Sequence, residues 1–139
     1  MAEHFFRQTL NLPIRTVSEA NSNEHWLTKA KRHQQQQHFV RLAYRPPDLK
    51  QTTPCRVTLT RLAPRRLDSD NLQMSFKWIR DELSDLILPE EVKTYVNRKG
   101  KLKTLKGRSD DDPRITWQYS QEKASVLGIR IDIDFPEPS

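Results

Sequence analysis

The sequence predicts an α+β fold in a single domain, residues 1–139: a mixed four-stranded sheet with two main helices packed on it and a short inserted helix. Three observations lead there. Four segments alternate apolar and polar residues at the period of a strand, two longer ones repeat apolar residues at helical spacing, and the two kinds interleave along the chain. A length of 139 residues suits one hydrophobic core, and no linker divides it.

Leu10, Leu12 and Ile14 alternate with Asn11, Pro13 and Arg15, which marks a first strand; Pro13 offers no ladder donor, so this strand belongs near an edge. The turn-rich stretch Ser18 to Asn23 leads into a helix over about 24–44, with Trp26, Ala30, His33, Gln37 and Val40 on one stripe and Pro46 and Pro47 ending it. Gln34 to Gln37 read as a solvated face. Cys55 to Leu62 is rich in β-branched residues, with Val57 and Leu59 on one side, and reads as a central strand. Leu72, Phe76, Ile79, Leu83 and Leu86 then recur at spacings of four, three, four and three, predicting a second helix over about 70–87 that buries this face.

Pro89, Glu90 and Glu91, with Gly100 downstream, carry the start and stop signals of a shorter helix, and a basic loop, Lys101 to Arg108, follows it. Ile115, Trp117 and Tyr119 alternate with polar neighbours, as do Ile129, Ile131, Ile133 and Phe135. These two closing strands are expected to pair as a hairpin around Glu122 to Ser125. Spacing on strands and helices makes packing the expected role of Trp26, Trp78 and Trp117.

Hydrophobic residues make up 35% of the chain and charged ones 30%, with no apolar run near the roughly 18 residues of a membrane span, so a spanning helix is excluded. MAEHFFRQTL has no apolar stretch after a basic start, so it is not read as a secretory signal and the cytoplasm is the expected location. The single cysteine, Cys55, closes no intrachain disulfide and reads as a small core residue. His4, His25, His33 and His38 lack nucleophile or zinc-ligand spacing.

Lys and Arg number 24 against 18 Asp and Glu, a net charge of +6 that favours a polyanionic partner. The distribution is uneven: residues 1–108 hold 21 basic and 11 acidic side chains, residues 109–139 hold 3 and 7. A basic chain with a local acidic cluster suits metal-assisted chemistry on phosphate. A basic surface kept for solubility, or RNA binding on charge alone, fits the same totals.

Asp68, Ser69, Asp70 and Asn71 stand where the central strand hands over to the second helix, so Asp70 occupies or adjoins its N-cap. Helix geometry puts Lys77 and Asp81 each within about 20° of Asp70, opposite the apolar set. Lys77 and Asp81 also form an ordinary i,i+4 surface pair. The second acidic group is Asp110, Asp111 and Asp112 before Pro113, a pattern that suits a solvated turn. If the sheet brings this group beside Asp68 and Asp70, three or four carboxylates converge with little compensating charge, and such hard oxygen donors suit Mg²⁺, or Mn²⁺.

RRLDSDNLQMSFKWIRDEL (Arg65 to Leu83), DDDPRITWQY (Asp110 to Tyr119) and the earlier NSNEHWLTKAKR (Asn21 to Arg32) together resemble the RusA-type Holliday-junction resolvases, small Mg²⁺-dependent endonucleases of phages and prophages. The resemblance covers much of the chain. It implies that Asp68 and Asp70 are metal ligands and that one or two of Asp110, Asp111 and Asp112 complete the set, with Asp111 and Asp112 favoured. The position of the family's usual catalytic lysine is Met74 here, and Lys77, one turn further on, is the candidate substitute. A second departure is the inserted segment at about 88–109, where the family has a short loop.

The expected activity is metal-assisted phosphodiester hydrolysis on branched DNA, in recombination and repair, by a C2 homodimer with one site per subunit. Lys29, Lys31, Arg32, Arg65, Arg66, Lys101, Lys103 and Lys106 are the candidate DNA contacts. Asn71 would orient a ligand carboxylate or serve the helix start. The rival expectation is a non-catalytic, degenerate nucleic-acid-binding relative: Met74 favours it, while acids that would repel a phosphate ligand argue against it.

Overall fold

The period-two alternation near the two ends of the chain becomes an antiparallel pair, β1 (Phe5–Leu12) against β6 (Gly128–Pro136), with Leu10 opposite Ile131. This is a computed structural model, and it describes residues 5–17, 25–89, 93–105 and 112–136. Between those strands in sequence come α1 (Trp26–Ala43), β2 (Cys55–Ala63), α2 (Ser69–Ser75), α3 (Lys77–Ile87), β3 (Lys93–Val96), β4 (Leu102–Leu105) and β5 (Ile115–Lys123). The main sheet is mixed and four-stranded, in the order β1-β6-β2-β5, with β2 and β5 parallel and the other two pairings antiparallel.

The inward rows of the sheet are apolar because the alternation of each strand is in register with its neighbour's. Leu10, Ile131, Leu59 and Tyr119 form one row, and Ile133, Val57 and Trp117 lie in the next. Ile129, Ile131, Ile133 and Phe135 are fully buried, and Leu72, Phe76, Ile79 and Leu83 of the helices complete the core. Cys55 is buried in it, and burial pushes its thiol up to about 11, so it stays protonated at neutral pH. On the opposite face Asp134, 2% exposed, lies between Arg7 (Nε to Oδ1 2.7 Å) and Arg56 (Nη2 to Oδ2 3.3 Å), a three-strand ladder of β1, β6 and β2.

That ladder is one reason the closing strands do not form a hairpin. β6 inserts between β1 and β2, and β5 pairs with β2 alone, so β5 and β6 are not neighbours. The second helix is broken at Phe76, whose φ of −101° and ψ of 3° leave the helical region and whose N–H turns to the carbonyls of Gln73 and Met74. Ser75 Oγ donating to the Leu72 carbonyl at 2.7 Å favours such a bend.

The inserted segment is a β-hairpin rather than a helix, with β3 and β4 antiparallel. Gly100 has φ +74°, the left-handed conformation that serves a hairpin turn as readily as a helix end. On α1 the buried positions are Val40, as the stripe predicts, and Gln36, one residue from the expected Gln37. Trp26 is 69% exposed, and Gln36, expected on a solvated face, is buried with its amide donating to the Arg15 carbonyl. Among the described residues no helix is long and apolar enough to cross a membrane.

Candidate active site

The acidic start of α2 is built by one cap and one tether. Asp68 is the N-cap, its Oδ1 accepting the Asn71 N–H at 2.9 Å, which satisfies one of the free first-turn donors. Asp70 therefore adjoins the cap, inside the first turn, where the positive end of the helix favours a carboxylate. The tether is Gln121 on β5: its Oε1 accepts the Leu67 N–H at 3.0 Å and its Nε2 donates to the Leu67 carbonyl at 2.8 Å. Both acids are exposed, and the Asp68 carboxylate keeps acceptor capacity beyond the single cap bond.

From this start an open groove of about 470 Å³ runs along the helices, lined by Asp70, Gln73, Met74, Lys77, Arg80, Asp81 and Tyr119. The break at Phe76 does not scatter the stripe: Asp70, Met74, Lys77 and Asp81 still share one face, as expected. Lys77 is exposed, with its Nζ 4.9 Å from the centre of the Trp78 ring. Arg80 donates from Nη1 to the Tyr119 hydroxyl at 2.8 Å and lies 4.8 Å over the Trp117 ring, so its guanidinium is fixed on the floor between α3 and β5. Sequence reasoning passed over Arg80 and Tyr119. Their signal is the placement of Arg80 three residues after Lys77, on the side of the helix that meets the aromatic residues of β5.

Of the second acidic group, Asp112 stands elsewhere. Asp112 precedes β5 and is engaged by Arg114, whose Nε and Nη2 reach Oδ1 and Oδ2 at 3.0 and 2.9 Å while the Arg114 N–H donates at 3.0 Å. These bonds hold the Asp112 carboxyl down at about 2. Its carbonyl accepts the Ile115 N–H, so Asp112 stays at the start of β5. Leu67 is tied to Gln121, six residues beyond Ile115 on the same strand, which is about 20 Å at the rise of a β-strand. The register thus sets Asp68 and Asp112 toward opposite ends of β5, and among the described residues they are not grouped with Asp70 around one cation. Asp110 and Asp111 lie outside the described residues.

Among the described residues no three His, Cys, Asp or Glu side chains are grouped to hold a metal ion. The donor chemistry of Asp68 and Asp70 nonetheless fits Mg²⁺ or Mn²⁺, which take hard carboxylate oxygens and complete their shells with water and phosphate. Of the expected DNA contacts, Lys31 is exposed on α1, Lys29 and Arg32 are half-buried there, and Arg65 and Arg66 are exposed just before α2. Lys101 is exposed at the hairpin turn; Lys106 and the Lys103 side chain are outside the described residues. His33 stacks on Trp78 with ring centres 4.3 Å apart, which gives that histidine a packing role between α1 and α3. No family model, curated protein or solved structure matches this chain.

Proposed function

We propose that this protein is a cytoplasmic, divalent-cation-dependent endonuclease that cuts branched DNA by phosphodiester hydrolysis, acting in recombination and repair as a homodimer. The observation that carries the reading is the groove that joins Asp70 to Lys77, Arg80 and Asp81 beside the Asp68 cap, on a chain with a net charge of +6. The resemblance of the Asp68–Asn71 helix start and of the Asp110–Asp112 run to RusA-type resolvases supports it. Asp68 and Asp70 would hold the cation, which would supply Lewis-acid polarisation of the scissile phosphate. Lys77 offers its ammonium to the charge that develops on the phosphate oxygens, and Arg80, fixed by Tyr119, keeps the groove attractive to the backbone.

The separation along β5 supports a dimer in which the Asp68–Asp70 end of one copy meets the Asp110–Asp112 end of the other. Two such contacts are related by the twofold axis, which suits paired cuts across a four-way junction. Arg114 then acts as a placeholder for Asp112 in the free chain. A non-catalytic DNA-binding reading is favoured by one feature: Met74, 41% exposed, lines the groove where the resembling family has a lysine. Incubating a four-way junction and the matching duplex with the protein in Mg²⁺ and in EDTA tests the choice. Nicking of the junction that needs Mg²⁺ is expected; tight binding without nicking would establish the second reading.

A further inference from the structure

We propose, building on the branched-DNA reading, that the tip of the β3–β4 hairpin is a wedge for a DNA branch point, with Val96 and Leu102 against unstacked bases and Arg98, Lys99 and Lys101 on the flanking phosphates. Val96 and Leu102 are directly opposite in the hairpin register, and they are 66% and 71% exposed. A paired, exposed Val and Leu at the end of a basic segment is an unusual use of apolar surface. It is too small for a stable protein contact, which needs several hundred Å² per partner. It does match the apolar wedges that nucleic-acid-binding proteins insert between base steps.

Charge selects the ligand. Residues 97–108 hold six Lys or Arg and no acid, and Arg98, Lys99 and Lys101 are exposed on the turn itself. A cationic turn carried on an exposed apolar pair fits a ligand that presents phosphates beside apolar faces, which is the chemistry of a nucleic acid with open base steps. The branch point of a junction exposes such steps at lower cost than a continuous duplex.

The tip is also held in shape before it meets a ligand. Asn97 Oδ1 accepts the N–H groups of Lys99 (3.0 Å) and Lys101 (2.9 Å), Asn97 N–H donates to the Lys101 carbonyl at 3.0 Å, and Gly100 supplies the positive φ that closes the turn. An ordered turn loses less freedom on binding, so its side chains arrive already spaced.

The test uses the full chain and a four-way junction with 2-aminopurine beside the crossover, in Ca²⁺ to slow cutting. Wild type is expected to raise the fluorescence severalfold on the junction and little on the matching linear duplex. Val96→Thr/Leu102→Thr, which keeps β-branched or β-compatible side chains at exposed sites, should lose most of that rise while junction affinity falls no more than about threefold and its salt slope is unchanged. A rise retained by the double variant overturns the wedge, as does an equal rise on linear duplex. A change in sedimentation behaviour with the fluorescence rise intact assigns the pair to a second copy and also overturns it. Mg²⁺-dependent nicking by wild type without any fluorescence rise would refute the wedge alone. Wild type that neither prefers the junction nor nicks it removes the proposed function and the wedge with it.

Discussion

The side-chain amide of Gln121 closes a ring of two hydrogen bonds with the backbone of Leu67, 54 residues away in sequence, and so fixes the acidic helix start against the last third of β5. Gln121→Leu leaves both Leu67 groups without that partner. It is expected to cost about 1–3 kcal/mol in urea unfolding and to lower nicking further by loosening Asp68. An unchanged unfolding midpoint would show that solvent replaces the amide.

Asp68 combines a cap with a proposed ligand, and two substitutions separate them. Asp68→Asn retains a side-chain oxygen for the Asn71 N–H and should leave stability within about 0.5 kcal/mol, because Asn caps as well as Asp. It should nevertheless abolish Mg²⁺-dependent nicking. Asp68→Ala should lose about 1 kcal/mol as well. Full nicking by the Asn variant would reduce Asp68 to a cap.

The Asp112 carboxyl is held at about 2, below its ordinary 3.8, chiefly by the hydrogen bonds from Arg114. A depressed carboxylate contributes stability that is present above the ordinary value and is lost as the pH falls from about 4 toward about 2. Asp134, lowered by its hydrogen bond to Arg7, shifts stability in the same direction. Carboxyl NMR titration of Arg114→Gln should return the Asp112 midpoint toward 3.8; a midpoint still near 2 would assign the shift to another group.

Much of the fold was legible because apolar alternation recurs in the strands of the main sheet: Val57 and Leu59, or Ile129, Ile131, Ile133 and Phe135, mark the side that faces the core. The pairing of β5 with β2 was hidden, since proximity in sequence argues for a β5–β6 hairpin, whereas β6 pairs with β1 and β2 along their lengths, the Arg7–Asp134–Arg56 ladder among those pairings. Gly100 misled because one φ of +74° serves a helix end and a hairpin alike. The Asp70–Lys77–Asp81 face was readable from helix periodicity, and it survives the break at Phe76. The distance from Asp68 to Asp112 was not, because it depends on strand register and on the Gln121 tether.

Salt dependence reports the basic insertion. Lys101→Gln/Lys103→Gln/Lys106→Gln should weaken junction binding and flatten the slope of log K against log[salt] by up to about 3 units, while nicking at saturating DNA changes little. Titrations at several salt concentrations measure it. An unchanged slope means that the three lysines leave the phosphates untouched.

Subunit mixing tests most directly the claim that two copies complete each cutting site. Asp70→Asn and Asp111→Asn/Asp112→Asn should each be inactive alone, yet a mixed dimer retains one site in which Asp70 of one subunit faces the intact acids of the other. Nicking of a four-way junction in Mg²⁺ should therefore return on mixing and subunit exchange, to about a quarter of the wild-type rate for random pairing. A mixture that has exchanged subunits and stays as inactive as its parents would contradict the account.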